Sequence, residues 1–210
     1  LTIDIGASSK AEAEKYVSLG DCAYFTSDYT ELGNGYLREK ALDDRIGCAI
    51  MVDILNKNLP YDVTCVFTVQ EEIGTRGAKV AAYTVKPDYA IVLETTTACD
   101  FAGNDGEKRV CELGKGCVVS YMDRSTIYDR ELYRLGFEKA KEINVPCQTK
   151  TLVAGGNDSG AIHSSVGGIR TVALSVPCRY LHSPSCMIKK SDVQSTAELA
   201  YAMYLALAEK

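Results

Sequence analysis

Two adjacent glutamates, Glu71 and Glu72, follow an apolar run in "VTCVFTVQEEIGTRGA", residues 63–78, and a glycine-punctuated turn comes next. Carboxylates at loop positions, joined by a histidine, are the ligand set for divalent metals such as zinc, manganese or cobalt. Neighbouring side chains of an extended chain point opposite ways, so one glutamate can reach a metal while the other faces a substrate. Two metals close together need a bridging carboxylate and a few terminal ligands. Such a pair generates a hydroxide near neutral pH and polarises a carbonyl. A carboxylate that is not a ligand can move the proton of the water. The plainer use of the same two acids is a solvated strand end, or a favourable charge before a helix that starts near Thr75.

Other candidates fall into the same pattern. Glu94 closes the apolar run "AIVLETT", His182 follows "RTVALSVPCRY", and Asp43 and Asp44 open a helical pattern in "KALDDRIG". Each also has a plainer use. The two aspartates can supply an N-cap and a second acid that suits the helix dipole. Glu94 can be a surface acid, and a lone histidine is more often packed or exposed than a ligand. His163 sits within the helical "SGAIHSSV" with no acidic neighbour close in sequence, and reads as packed. "GGNDSG" lacks the lysine of a phosphate loop and reads as a turn before a helix.

These residues need elements to hold them. "SSKAEAEKYVSLG" has a serine start and a glycine stop, which predicts a short helix. "DCAYFT" reads as a strand and "ELGNGYLREKALDDR" as a loop. Ile46, Ala49, Ile50 and Ile54 have helical spacing, which predicts a helix over 44–57. Strands and helices then alternate. "DVTCVFTV", "PDYAIVLET", "GCVVSYM", "CQTKTLV" and "RTVALSV" read as strands. "GAKVAAYTV", "DRELYRLGFEKAKEI", "DSGAIHSSV" and "DVQSTAELAYAMYLALAEK" read as helices. The alternation predicts an α/β sandwich with a mostly parallel sheet. Ligands of such sheets bind beyond the carboxyl ends of the strands, where the candidate acids and His182 fall. The first ~40 residues look strand-rich and predict part of a separate subdomain.

Bulk properties narrow the function. The 210 residues suit one sizeable domain, and 46% hydrophobic content is enough for a core. A net charge of −5 argues against a general nucleic-acid surface. No apolar run approaches the ~20 residues of a membrane span, and "LTIDIGASSK" does not read as a secretory signal. The nine cysteines are scattered without a Cys-x-x-Cys pair, so they read as reduced thiols acting as small hydrophobes in a cytoplasmic protein.

In order along the chain, "DIGASS", "KALDDRIG", "FTVQEEIGTRGA", "LGKGCVVSYMDRS", "GGNDSGAIH" and "VPCRYLHSP" closely resemble the tetrahedral aminopeptidases, metallopeptidases of clan MH that include glutamyl and deblocking aminopeptidases. The match runs over nearly the whole chain. It implies a three-layer catalytic domain over 39–210, with 1–38 a remnant of an inserted β-rich oligomerisation domain. It implies two divalent ions (zinc, cobalt or manganese) and removal of N-terminal residues from peptides by a metal-bound hydroxide. Asp43 is then the bridging ligand, joined to Asp44 by a cis peptide. Glu71 is the general base, Glu72 and His182 hold one metal, and Glu94 holds the other. Arg179 helps to shape the substrate side. The resemblance also implies a cytoplasmic homo-oligomer, often a dodecamer built from dimers, with peptides as partners and neither nucleic acid nor membrane.

Three departures qualify it. Glu94 stands where the family usually has aspartate, and Asn157 stands in "GGND" where it has "GGTD". The family's His-x-Asp motif, the source of the remaining ligand histidine, has no counterpart in this sequence. The chain therefore reads as the C-terminal part of a longer protein, with at most one well-held metal, weak or no activity by itself, and some uncovered apolar surface. The alternative function is an inactive relative or fragment that serves as an interaction module.

Overall fold

The computed structural model describes residues 2–104 and 106–210; Leu1, which opens "LTIDIGASS", lies outside the described residues. The elements in chain order are α1 (Lys10–Ala13), β1 (Thr30–Leu32), β2 (Tyr36–Glu39), α2 (Leu42–Leu55), α3 (Arg76–Val85), β3 (Tyr89–Thr97), β4 (Cys117–Val119), α4 (Arg130–Glu142), β5 (Cys147–Thr149), α5 (Ser159–His163), β6 (Arg170–Cys178), β7 (Cys186–Lys189) and α6 (Lys190–Ala208).

The main sheet has the order β3-β6-β4-β5. β6 carries a near-continuous apolar run, the pattern of a strand covered on both faces, and Val172, Ala173, Leu174 and Val176 have no exposed surface. β3 pairs parallel to β6, and β5 pairs parallel to β4; the β4–β6 pairing between them is antiparallel. Alternation along β6 separates two helical layers. Val172, Leu174 and Val176 pack into the larger core with Leu42, Ile50 and Ile54 of α2, Leu132 of α4, and Leu199 and Met203 of α6. Ala173 faces the other way, into a small cluster with Val92, Tyr128 and Ile162 of α5. The chain thus forms the α/β sandwich that the alternation predicts, with parallel pairings at β3–β6 and β4–β5.

Local chemistry fixes the connections. Asp129 caps α4 by accepting from the Glu131 and Leu132 amides at 2.9 and 3.0 Å. The same carboxylate receives Arg170 at the start of β6, which locks the helix start to the central strand. Asp192, in the first turn of α6, is buried and accepts from the amides of Gly114 and Gly116 at 2.6 and 2.9 Å. Gly116 has φ +84°, and a Cβ there would strike the Pro146 carbonyl, so this loop requires glycine.

Several elements differ from expectation. "DCAYFT" forms no strand, while the expected loop 31–45 contains β2 and most of the β1–β2 hairpin. β2 also pairs with β7, making a second, antiparallel sheet of order β1-β2-β7. The largest difference is at 62–69, where "DVTCVFTV" has no strand partner among the described residues. Hydrophobic patterning records which residues favour burial, whereas a strand also requires a neighbour to hydrogen-bond with. Val63, Val66, Phe67 and Val69 of this segment are exposed, as are Ile3, Tyr16, Leu19, Tyr24 and Phe25 nearer the N-terminus. No helix among the described residues is long and apolar enough to cross a membrane.

Candidate metal centre

The parallel pair β3 and β6 ends in register, Thr97 opposite Cys178. Above those carboxyl ends the chain gathers acids from three places and a histidine from a fourth. Glu94 comes from β3. Asp43 and Asp44 begin α2 and are joined by a cis peptide bond. Glu71 and Glu72 come from the turn before α3, and His182 comes from the loop after β6.

The turn bearing the glutamates is closed by its own backbone. The amides of Gly74 and Thr75 donate to the Glu71 carbonyl at 3.0 and 2.9 Å, and Gly77 donates to Val69 at 3.0 Å. Gln70 and Thr75 hold left-handed backbone, with φ 61° and 51°. A Cβ on Gly77 would lie 2.5 Å from the Val69 carbonyl oxygen and 2.6 Å from its nitrogen, so glycine is required for the closure. Asp44 is fixed similarly. Its Oδ1 accepts from the Gly47 amide at 3.0 Å, and a Cβ on Gly47 would overlap its carboxylate.

Two overlapping groups of donors result. His182 Nε2 lies 3.1 Å from Asp43 Oδ2 and 3.3 Å from Glu72 Oε2. Asp43, Asp44 and Glu94 form the second group, and each group has its ligand atoms within 4.8 Å of one another. Asp43 belongs to both. Its side chain is only 9% exposed, against 62% for His182 and 56% for Glu72, so it sits beneath an open rim. Asp43, Glu72, His182, Ala41, Ser183 and Cys186 line a cavity of about 250 Å³.

The electrostatics are those of crowded acids. Burial, then repulsion from Asp44 and Asp43, pushes Glu94 well above the carboxylate range. Burial, then Glu72, raises Glu71 to about 7. Burial raises Asp44 to about 8, against the Gly47 amide that favours the anion. Burial and Asp43 raise Glu72, while His182 opposes the shift. A site that holds several carboxyls against their preference for ionisation is short of positive charge. Oxygen donors with one imidazole suit a divalent cation, so the residues present fit the metal.

The other expected participants sit as follows. Arg179 is engaged by Asp100 through two hydrogen bonds of 2.6 and 3.0 Å. His163 is remote, with Nδ1 2.9 Å from the Ser159 carbonyl. Asn157 is buried; its Oδ1 accepts from the Ser159 amide at 2.8 Å, and its amide donates to the Tyr128 hydroxyl. Asp158 was missed. It accepts from Thr68 at 2.5 Å, its Oδ1 is buried without a hydrogen-bond partner, and its charge acts on both Asp44 and Glu71. The acid in "GGNDSG" was its only signal in the sequence.

The sequence profile of the M42 glutamyl aminopeptidases matches residues 1–199. The chain belongs to that family. A putative aminopeptidase of Acetivibrio thermocellus is 42% identical over 199 residues, covering 94% of this chain and 59% of its own length. The aminopeptidase APDkam598 of the archaeon Desulfurococcus kamchatkensis superposes with a TM-score of 0.90 at 33% identity, over 95% of this chain and 57% of that one. The Pyrococcus horikoshii TET1 peptidase, which can assemble into a tetrahedron or a large octahedral shell, superposes with a TM-score of 0.80 at 32% identity, over 98% of this chain and 59% of that one. The M42 chain therefore spans less than two thirds of the length of these relatives, and its sandwich is the M42 catalytic fold.

Proposed function

We propose that the protein containing this chain is a metal-dependent aminopeptidase that removes N-terminal residues from peptides with two divalent ions. The observation that carries this is the convergence of Asp43, Glu72 and His182 within contact distance, with Glu71 beside them. Asp43, Glu72 and His182 hold one ion. Asp43 and Glu94, from β3, would hold a second, with Asp44 adjacent. Bound zinc, cobalt or manganese supplies Lewis acidity, which activates water and polarises the scissile carbonyl.

The chain's own residues supply proton transfer and placement. Glu71 is not in either donor group, and its carboxyl titrates at about 7. It therefore accepts a proton from water and returns it to the leaving amine near neutral pH. Glu72, Asp158 and Asp43 place negative charge beside Glu71 and so hold its proton affinity up. The open rim at Glu72 and His182 admits the peptide, while Asp43 and Glu94 lie deeper. Residues 39–210 form the catalytic part and 1–38 belong to an oligomerisation part of a cytoplasmic homo-oligomer.

A second function, an interaction module without turnover, is favoured by one observation. The Asp43–Asp44–Glu94 group contains no histidine among the described residues, so an ion there would be held by carboxylates alone. Metal content per chain after dialysis, for wild type beside Glu72→Gln and His182→Ala, tests the proposal. Close to one bound ion, lost in both variants, is expected. Wild-type protein without metal, or metal retained in both variants, removes its basis.

A further inference from the structure

Cys178 ends β6 and Cys186 begins β7, so the two thiols bracket the loop that carries His182. All nine cysteines are free. These two are 0% and 1% exposed, and their thiols act on each other's acidity. The Arg179 amide donates to the Met187 carbonyl at 2.9 Å, and the Met187 amide returns the bond at 3.0 Å. That register puts Cys178 and Cys186 diagonally across the ladder, on one face. Cys186 also lines the cavity beside Asp43, Glu72 and His182.

The thiols brace the loop. Cys186 Sγ donates to the carbonyls of Tyr180 and Ser183 at 3.5 and 3.4 Å, and Cys178 Sγ donates to Arg179 at 3.3 Å. Tyr180 and His182 hold left-handed backbone, φ 58° and 59°, which these bonds help to maintain.

We propose that Cys178 and Cys186 are a disulfide-forming modification site, whose closure withdraws His182 from Asp43 and Glu72. A peroxide is the oxidant. The Cys186 sulfur takes one peroxide oxygen, the O–O bond breaks and the first water leaves. The Cys178 sulfur then attacks that sulfur, the S–O bond breaks and the second water leaves. The thiol pair loses two electrons and two protons, and the peroxide gains them. Diagonal Cα atoms lie ~7–8 Å apart, whereas a disulfide holds them at ~4.4–6.8 Å, so the ends of the loop are drawn together. Both S–H donors vanish at the same time, and the braces on Tyr180 and Ser183 go with them.

The effect on metal rests on the proposed ligand role of His182; the cross-link does not. The test treats the chain with hydrogen peroxide and maps peptides without reduction. Mn²⁺ affinity is measured before oxidation, after it, and after dithiothreitol. Manganese has little preference for thiolate, so its loss reports His182 rather than a lost sulfur ligand. A linked Cys178–Cys186 peptide is expected, with Mn²⁺ affinity lowered about tenfold or more and restored by the reductant. Cys178→Ala should keep the reduced affinity and resist the peroxide. Absence of the linked peptide overturns the proposal whatever the metal does, and needs no variant. A linked peptide with unchanged Mn²⁺ affinity overturns the withdrawal of His182. Reduced protein that binds no Mn²⁺ instead overturns the proposed metal centre and leaves the cross-link to be judged by its peptide.

Discussion

Arg179 grips Asp100 with both arms of its guanidinium, Nε to Oδ1 at 2.6 Å and an Nη to Oδ2 at 3.0 Å. Asp100 follows the strand that carries Glu94, and Arg179 opens the loop that carries His182. The pair therefore ties the two sides of the candidate centre together. Asp100 also accepts from the Leu113 amide at 2.9 Å, and its side chain is only 6% exposed. Removing the guanidinium leaves a buried carboxylate with one partner. Arg179→Met is expected to destabilise by about 2–3 kcal/mol, discounted from a fully buried pair because Arg179 is partly exposed. Arg179→Lys should recover part of this, because lysine cannot reproduce the fork. Urea unfolding of the three proteins measures both steps.

Glu71→Gln should separate binding from turnover. The glutamine is isosteric but cannot take a proton. Metal content should stay at the wild-type value while hydrolysis in the intact protein falls about 10²–10⁴-fold. Metal lost along with activity would make Glu71 a ligand.

The crowded carboxyls set a pH dependence. Glu71 is raised to about 7, Asp44 to about 8, and Glu94 well above its ordinary range. A carboxyl raised in the folded state keeps its proton where the unfolded chain has lost it. The stability this gives is fully present below the unfolded value of ~4 and is lost as pH rises through the folded values. The metal-free chain should therefore melt at a lower temperature near pH ~8.5 than near pH ~5.5. Asp100 and Asp129 are held low, by Arg179 and Arg170 respectively, and act at more acid pH than this window. A divalent ion needs the acids ionised, so its affinity should rise across the same interval with release of protons. Calorimetry in two buffers of different ionisation enthalpy counts them; zero release would contradict the crowding.

Gly77→Ala tests the turn. The new Cβ would meet Val69 backbone atoms at 2.5 and 2.6 Å, and backbone cannot swing aside as a side chain does. A loss of about 1–3 kcal/mol is expected, with weaker metal binding because Glu72 moves with the turn. Gly167→Ala meets nothing within 4 Å and should be close to neutral in the same melting assay.

Much of this was legible in the residues. The central strand showed itself because β6 is apolar on both faces, and α6 because Leu199, Met203 and Leu207 recur at helical spacing. The convergence of Asp43, Glu72, Glu94 and His182 was legible because each follows or opens a periodic segment, and the topology sends those ends to one edge. What the sequence hid depends on distant partners. β7 is a short strand that exists through its pairing with β2, far away in the chain. The Asp100–Arg179 pair joins residues whose separation carries no period. Asp158 looked like part of a glycine turn, because only its neighbours in space, Thr68 and Asp44, reveal it.

The segment at 62–69 bears on how the chain behaves in a concentrated solution. "VTCVFTV" combines β-branched and aromatic residues, no charge and no proline, with Val66, Phe67 and Val69 turned outward. Its amides and carbonyls have no strand alongside among the described residues, and β3 pairs with β6 on one side only. Segments of that composition with open edges recruit one another, stacking identical copies in register. Colloidal lifetime would then be limited by the collision of two such edges rather than by unfolding of the core. A single lysine placed at Val66 would act as a gatekeeper without touching any of the metal-site acids.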